Sequence, residues 1–381
     1  MQQKNVCDPI NVLRAIACLI VFIMHTLIFT QMAGVNLFNY KSPFIFLLKT
    51  PAWAGVWIFF ILSGYLAGKS FFNNKYEYSP KGFLKYYWKK VIRIVIPVYA
   101  FILVTCCFAF PDFLPNNTSV LLRLITFNYN GNPGVDGIGA LWYVSCIVQM
   151  YVLAPFICLI FHLSLGKIKN TKVLKLVTII IFLLITTIGV CYRLYNLEKG
   201  LDWYEHTYTN TIANLDLFVG GIVFNFITKN NPIEKLNNPF KIILKILACL
   251  ILMVTIIFAS YLYFNGDRPD LEKMHFFQYY FPSFFLLVVC FYLFVFDYKK
   301  DFKRAPLTGK TLLKNPARAL DFLSDISLEF YMFHSLILNK IWSYVGKGSG
   351  LSRHFTIMIV AFIITTIIAY GYHRIFTPKK R

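Results

Sequence analysis

Two ionisable side chains in an otherwise apolar stretch offer chemistry first: Arg14 and His25, in Arg14-Ala-Ile-Ala-Cys-Leu-Ile-Val-Phe-Ile-Met-His25. They are eleven residues apart. At about 100° per residue that is roughly 20° beyond three helical turns, so the two share one face, about 16 Å apart along the axis. An imidazole, with an ordinary pKa of about 6.5, can exchange a proton there. A guanidinium can hold an anionic group. The plainer roles are a snorkelling interface anchor for Arg14 and an interhelical hydrogen bond for His25.

A second set sits near the other end of the chain. Ser327, Tyr331 and His334 are spaced i, i+4, i+7 and line one helical stripe. By depth His334 belongs in the same layer as His25. Glu329 lies off the stripe and is expected to pair with an arginine, while a polar packing seam is the plain reading of the whole set. A third set is Phe59-Phe60-Ile61-Leu62-Ser63-Gly64-Tyr65, where Ser-Gly in mid-helix permits close backbone approach and leaves a hydroxyl available. Asn214, Asp216, Gly220 and Gly221 repeat that theme, with Asp216 a costly carboxylate for an apolar run.

Other features only look chemical. Gly309-Lys310-Thr311 imitates the end of a phosphate-binding loop, but the glycine required at 304 is Arg304. Gly131, Gly134, Gly137 and Gly139 read as turn chemistry. The nine cysteines show no CxxC, and neither HExxH nor an acidic metal cluster is present, so no bound metal is expected. Asn116 and Asn117 each begin an N-x-[ST] sequon.

The elements that must carry these residues are membrane helices. Of the 381 residues 57% are hydrophobic and 14% charged, about half the charged share of a soluble domain. A bilayer core about 30 Å thick needs roughly 20 helical residues to cross it. Ten apolar runs approach that length: 10–33, 51–68, 91–111, 140–162, 173–192, 211–228, 241–263, 277–296, 322–340 and 354–376. The segment 41–50 is too short to cross and reads as interfacial or re-entrant. The first run is too long for a signal h-region and carries Arg14 inside it, so it reads as a retained span rather than a cleaved signal. No run is an alternating barrel strand.

The charge fits the same scheme. There are 38 Lys+Arg against 17 Asp+Glu, a formal +21, a surplus that in a soluble protein would suggest nucleic acid. With the N-terminus inside and ten crossings, 28 of the basic residues fall inside and 10 outside. The expectation is an all-α, multi-pass membrane protein with both termini cytoplasmic. One membrane domain fills 1–381 with no fused soluble domain, and no nucleic acid is bound. Membrane lipids and an anionic cytoplasmic cosubstrate remain as partners.

Several of these stretches have a counterpart in one family. Asn11-Val-Leu-Arg14 through Met-His25 resembles the opening of the membrane-bound acyltransferase-3 family, whose signature is an Arg and a His separated by ten residues. Phe59 to Tyr65 is similar to its F-F-x-x-S-G-[FY]. Lys89-Lys90-Val-Ile-Arg93-Ile-Val-Ile-Pro97 resembles its R-R-x-x-R-I-x-P, with lysines replacing the first arginines. Leu141-Trp142-Tyr143 through Tyr151-Val-Leu-Ala-Pro155 is similar to L-W-[FY]-x(7)-Y-L-x-x-P. Ile147 and Val148 stand where many members carry a Glu pair. Leu215 to Gly221 and Ser327, Tyr331, His334 resemble the late motifs.

The resemblance implies transfer of an acyl group, usually acetyl. It comes from acetyl-CoA, with no bound cofactor, to a hydroxyl on a bacterial surface glycan or its lipid-linked precursor at the plasma membrane. Forming an ester needs a base for the hydroxyl proton and a donor to the oxyanion. On that reading His25 is the base, and Arg14 holds CoA's phosphates or its thioester arm. Lys89, Lys90 and Arg93 add cations at the cytoplasmic mouth, and His334, Tyr331 and Ser63 orient the base or donate to the oxyanion. The acceptor approaches near Trp203, Tyr204, Glu205 and His206, unless these are an interfacial aromatic belt. The absence of a fused extracytoplasmic domain leaves room for a partner protein. The rival readings are a transporter or exporter of a glycan or small anion, and a structural membrane protein.

Overall fold

The computed structural model describes residues 8–32, 49, 51–109, 111, 118–129, 138–228, 231–264, 279–296, 317–345 and 351–377, and no strand occurs among them. Gly131, Gly134, Gly137, the Gly309–Thr311 tripeptide, both sequon asparagines and nearly all of 41–50 lie outside them. The helices are α1 (Pro9–Met32), α2 (Ala52–Phe72), α3 (Pro80–Lys90), α4 (Ile96–Val104), α5 (Thr118–Ile125), α6 (Leu141–Leu165) and α7 (Thr171–Glu198). They continue with α8 (Leu215–Thr228), α9 (Asn238–Phe264), α10 (Phe281–Phe296), α11 (Ala317–Asp325), α12 (Ser327–Val345) and α13 (Leu351–Phe376).

Each of the ten apolar runs falls mainly in helix. By length and composition, seven stretches among the described residues suffice to cross a membrane. The runs at 211–228 and 277–296 form shorter apolar helices. The run at 322–340 is divided between α11 and α12, and its polar residues keep α12 outside the seven. The third run begins earlier than its hydropathy suggests. Ser79 caps α3 by accepting from the Gly82 N–H at 3.2 Å, and Pro80 occupies the first turn, where its missing N–H costs nothing. The helix therefore starts in the lysine-rich segment and continues into the apolar one.

α2 is the hub. It is buried throughout 52–65, and α1, α6, α8 and α10 all pack on it. Its closest neighbour is α8, and glycine makes that approach possible. A Cβ on Gly64 would collide with the Phe218 carbonyl, and one on Gly221 with that of Ile61. Asn225 fastens the seam, donating to the Tyr65 carbonyl at 3.0 Å. α12 joins α1 and α13 through Phe22, Phe330 and Phe362, whose rings meet at 5.5–5.6 Å.

The periphery faces the other way. Leu183, Leu184 and Ile188 on α7, Ile242 and Val254 on α9, and Ile363 and Ile367 on α13 are all exposed. Such faces are untenable in water and ordinary in lipid. This is an all-α polytopic membrane protein.

Asp216 is not a lone carboxylate. Arg193, 1% exposed, meets it through two nitrogens at 3.0 and 2.9 Å. The guanidinium also donates to the carbonyls of Tyr279 at 2.9 Å and Ala213 at 2.6 Å, and to the Ser283 hydroxyl. Ser283 in turn donates to Asp216 at 2.8 Å. One saturated cluster thus ties α7, α8 and α10 together.

Candidate active site

The geometry begins with the uninterrupted helix α1, which keeps Arg14 and His25 on one face. Asn11 anchors its start, donating to Asp321 at 2.7 Å and accepting from Ser324 at 3.1 Å, so α1 and α11 are held in register. α12 then lies against α1, and the rings of His25 and His334 meet edge to face with centroids 4.8 Å apart.

Both imidazoles are oriented by their own helices. His25 Nδ1 lies 2.8 Å from the Val21 carbonyl, and His334 Nδ1 lies 2.6 Å from that of Tyr331. A carbonyl oxygen only accepts, so Nδ1 carries the proton and Nε2 is the acceptor in each neutral ring. His334 is wholly buried, and its Nε2 finds no partner among the described residues. A buried nitrogen left in that state is what a proton acceptor requires.

Below the pair lies a cavity of about 430 Å³. Arg14, Ser63, Tyr331, Lys89, Lys90 and Arg93 all line it, so residues from α1, α2, α3, α12 and the turn after α3 converge on one space. His25 and His334 are not in its wall. They stand behind Tyr331, whose ring is 5.4 Å from His334 and 5.1 Å from Tyr143. Tyr331 therefore connects the cavity wall to the imidazole pair.

Arg93 owes its place to Pro97. A proline ring strikes the carbonyl four residues earlier, which here is that of Arg93. The backbone answers with a widened turn at Val91–Val95, in which the Ile96 N–H reaches back to the Val91 carbonyl. Arg93 projects from that turn into the cavity wall.

Five cations, Arg14, Lys75, Lys89, Lys90 and Arg93, line the cavity against two carboxylates, Asp325 and Glu329. Glu329 accepts from His373 on α13 at 2.8 Å. Helix packing brings α13 close enough for that contact, which the sequence spacing could not show. Tyr76, in the turn after α2, also lines the cavity. Burial pushes its phenol above the ordinary range, with Arg93 opposing, so it stays an O–H donor at neutral pH.

Reading the residues singly missed the contribution of α6. Tyr143, Ile147 and Tyr151 all line the cavity, and their i, i+4, i+8 spacing was a signal in hand. Ser63 lines the same wall as Tyr143 and Tyr151. The Lys90 ammonium lies over the Tyr151 ring, 3.4 Å from its centroid.

On the far side of Tyr331 lies an aromatic group. Trp203 and Tyr208 stack at 5.2 Å, and Trp53 and Trp142 pack against Tyr208 at 6.4 and 4.6 Å. The phenol of Tyr331 lies within electrostatic range of Tyr204 and Tyr208. Trp203 Nε1 and His206 Nδ1 are buried without a partner among the described residues.

The fold and this site define a membrane-embedded helical protein with a buried imidazole pair beside a cation-lined pocket. Residues 9–374 match the acyltransferase-3 family, described as an acyltransferase domain, and the chain belongs to that family. Among curated proteins it is similar to "Regulator of hypoxia-inducible factor 1" of Caenorhabditis elegans, with 22% identity over 208 residues. That match covers 50% of this chain and 41% of that protein, so the chain spans less than half of that relative's length. No solved structure matches it.

Proposed function

We propose that the protein transfers an acetyl group from cytoplasmic acetyl-CoA to a hydroxyl of a surface polysaccharide or lipid-linked glycan precursor. The observation that carries the reading is the His25–His334 pair, with both Nε2 atoms as acceptors, across Tyr331 from a pocket richer in cations than in acids. Such a surplus suits a polyanionic donor such as a CoA nucleotide. Lys75, Lys89 and Arg93 hold the phosphates, and Arg14 guides the pantetheine arm. The thioester reaches Tyr331, and His25 takes the proton from the acceptor hydroxyl as it attacks. Tyr331 or Ser63 donates to the developing oxyanion.

The acceptor enters from the aromatic side, where the Trp203 and Tyr208 rings offer flat faces and His206 a polar edge. In this scheme ten helical crossings put both termini in the cytoplasm of a bacterium. The plasma membrane holds 1–381 as one domain, with a partner protein free to complete delivery to the glycan.

The test is purified protein in lipid nanodiscs given acetyl-CoA and cell-envelope glycan, read by free thiol release and by acetyl mass on the glycan. Both are expected, and His25→Ala abolishes both at normal membrane abundance. Undiminished activity in that variant removes the base assignment. Uptake of acetyl-CoA or glycan into vesicles without thiol release would favour a transporter.

A further inference from the structure

Lys90 and Tyr151, on the cavity side of Tyr331, have no task in the reaction as written above. The Lys90 ammonium lies 3.4 Å from the centroid of the Tyr151 ring, and Ser63 and Tyr143 line the wall beside them. The ring of Tyr143 lies 5.1 Å from that of Tyr331. Lys90, Tyr151, Ser63 and Tyr143 all line the cavity, and α2, α3 and α6 supply them.

We propose that Tyr151 is a catalytic acid, delivering a proton to the departing thiolate of the acyl donor, with Lys90 as the ammonium that reloads it. This rests on the acyl-CoA reading of the same cavity. The placement follows from the order of groups along it. The base stands beyond Tyr331, so the carbonyl carbon must lie near that ring while the hydroxyl attacks from the imidazole side. The thioester sulfur then sits on the opposite, cationic side of the carbonyl, where Ser63, Tyr151 and Lys90 meet.

The step balances as follows. The acceptor oxygen forms its C–O bond to the carbonyl carbon and loses its proton to an imidazole Nε2. The C–S bond breaks, and the sulfur keeps the electron pair and takes the proton of the Tyr151 hydroxyl. Lys90 passes a proton to the phenolate. Water at the cavity mouth returns one to the amine, and the imidazolium gives its own back to solvent. The products are an ester and a free thiol. A lysine held over a phenol's ring is suited to that role, because the ammonium stabilises the transient phenolate charge.

Leaving-group acidity is the discriminating variable. Tyr151→Phe in nanodiscs is assayed with acetyl-CoA and with acetyl-seleno-CoA, which keeps every phosphate and pantetheine contact but departs as a much weaker base. With acetyl-CoA we expect kcat to fall about 10²-fold or more, the usual range for losing a general acid, with KM little changed. With the selenoester the deficit should shrink to within about threefold, since departure no longer needs the proton. Lys90→Met should give the same pattern in weaker form. An equal deficit with both donors, or a deficit in KM alone, overturns the acid role and leaves Tyr151 a packing or binding residue. Should Tyr151→Phe fail to accumulate, the Lys90→Met comparison decides alone by the same criterion. If the wild-type protein releases no thiol from either donor, the acyl-CoA reading itself fails and this inference with it.

Discussion

Two groups of charged side chains are set into this bundle, and they are built on opposite plans. In the Arg193 cluster the guanidinium meets a carboxylate, two carbonyls and a hydroxyl, and the carboxylate takes the hydroxyl as well. The protein completes that charge and leaves no space beside it. Around the cavity five cations face two carboxylates, one of them engaged by His373, across an open volume of about 430 Å³. A charge cluster saturated by its own chain is architecture. A charge surplus around a void is a place for something of opposite sign.

The largest effect is expected at Arg193. Arg193→Met leaves Asp216 buried and unpaired, so about 3–5 kcal/mol of stability should be lost, read as reduced yield and a lower unfolding temperature in detergent. Arg193→Met with Asp216→Leu should recover much of it. No recovery would mean that the cluster does more than join helices.

Next in size is the imidazole pair. His25→Ala and His334→Ala should each lower turnover by about 10²–10⁴-fold, with unfolding temperatures close to wild type. A large thermal shift instead would place the pair with the architectural cluster.

Cavity cations should then respond differently from Arg193. Arg93→Gln removes one charge-assisted contact of about 1.5–3 kcal/mol, so KM for acetyl-CoA should rise by at least about tenfold while stability holds. The smallest effect is expected at Lys75, exposed at the mouth. Lys75→Gln should change KM by less than about fivefold, and added salt should mask the difference, as for any exposed charge contact.

Much of the fold was legible early because it depends on local hydropathy. The apolar runs recur as helices, and their peripheral faces are apolar. Boundaries moved where a cap outweighed hydropathy, as at Ser79-Pro80, and where polar residues interrupted a run, as between α11 and α12. The candidate site was legible in part. Arg14, Ser63, Lys89, Lys90, Arg93 and Tyr331 converge on one cavity, while His25 and His334 pack on each other outside its wall, with His334 against Tyr331. Tyr151 had entered only as a position in a motif, because a tyrosine in an apolar helix looks like packing until its partners are known.

The sequence by itself determined what short-range helical geometry controls. Eleven residues of α-helix put Arg14 and His25 on one face whatever surrounds them, and the i, i+4, i+7 stripe of α12 is equally local. Only the tertiary structure decided which stripes meet. The contact of His25 with His334 spans 309 positions, set by which ridges of α1 and α12 interlock and by the Asn11–Asp321 and Asn11–Ser324 hydrogen bonds. The same holds for Arg193 with Asp216, for Glu329 with His373, and for Lys90 with the Tyr151 ring. Each depends on helix packing distances that glycines such as Gly64 and Gly221 permit and no single helix encodes.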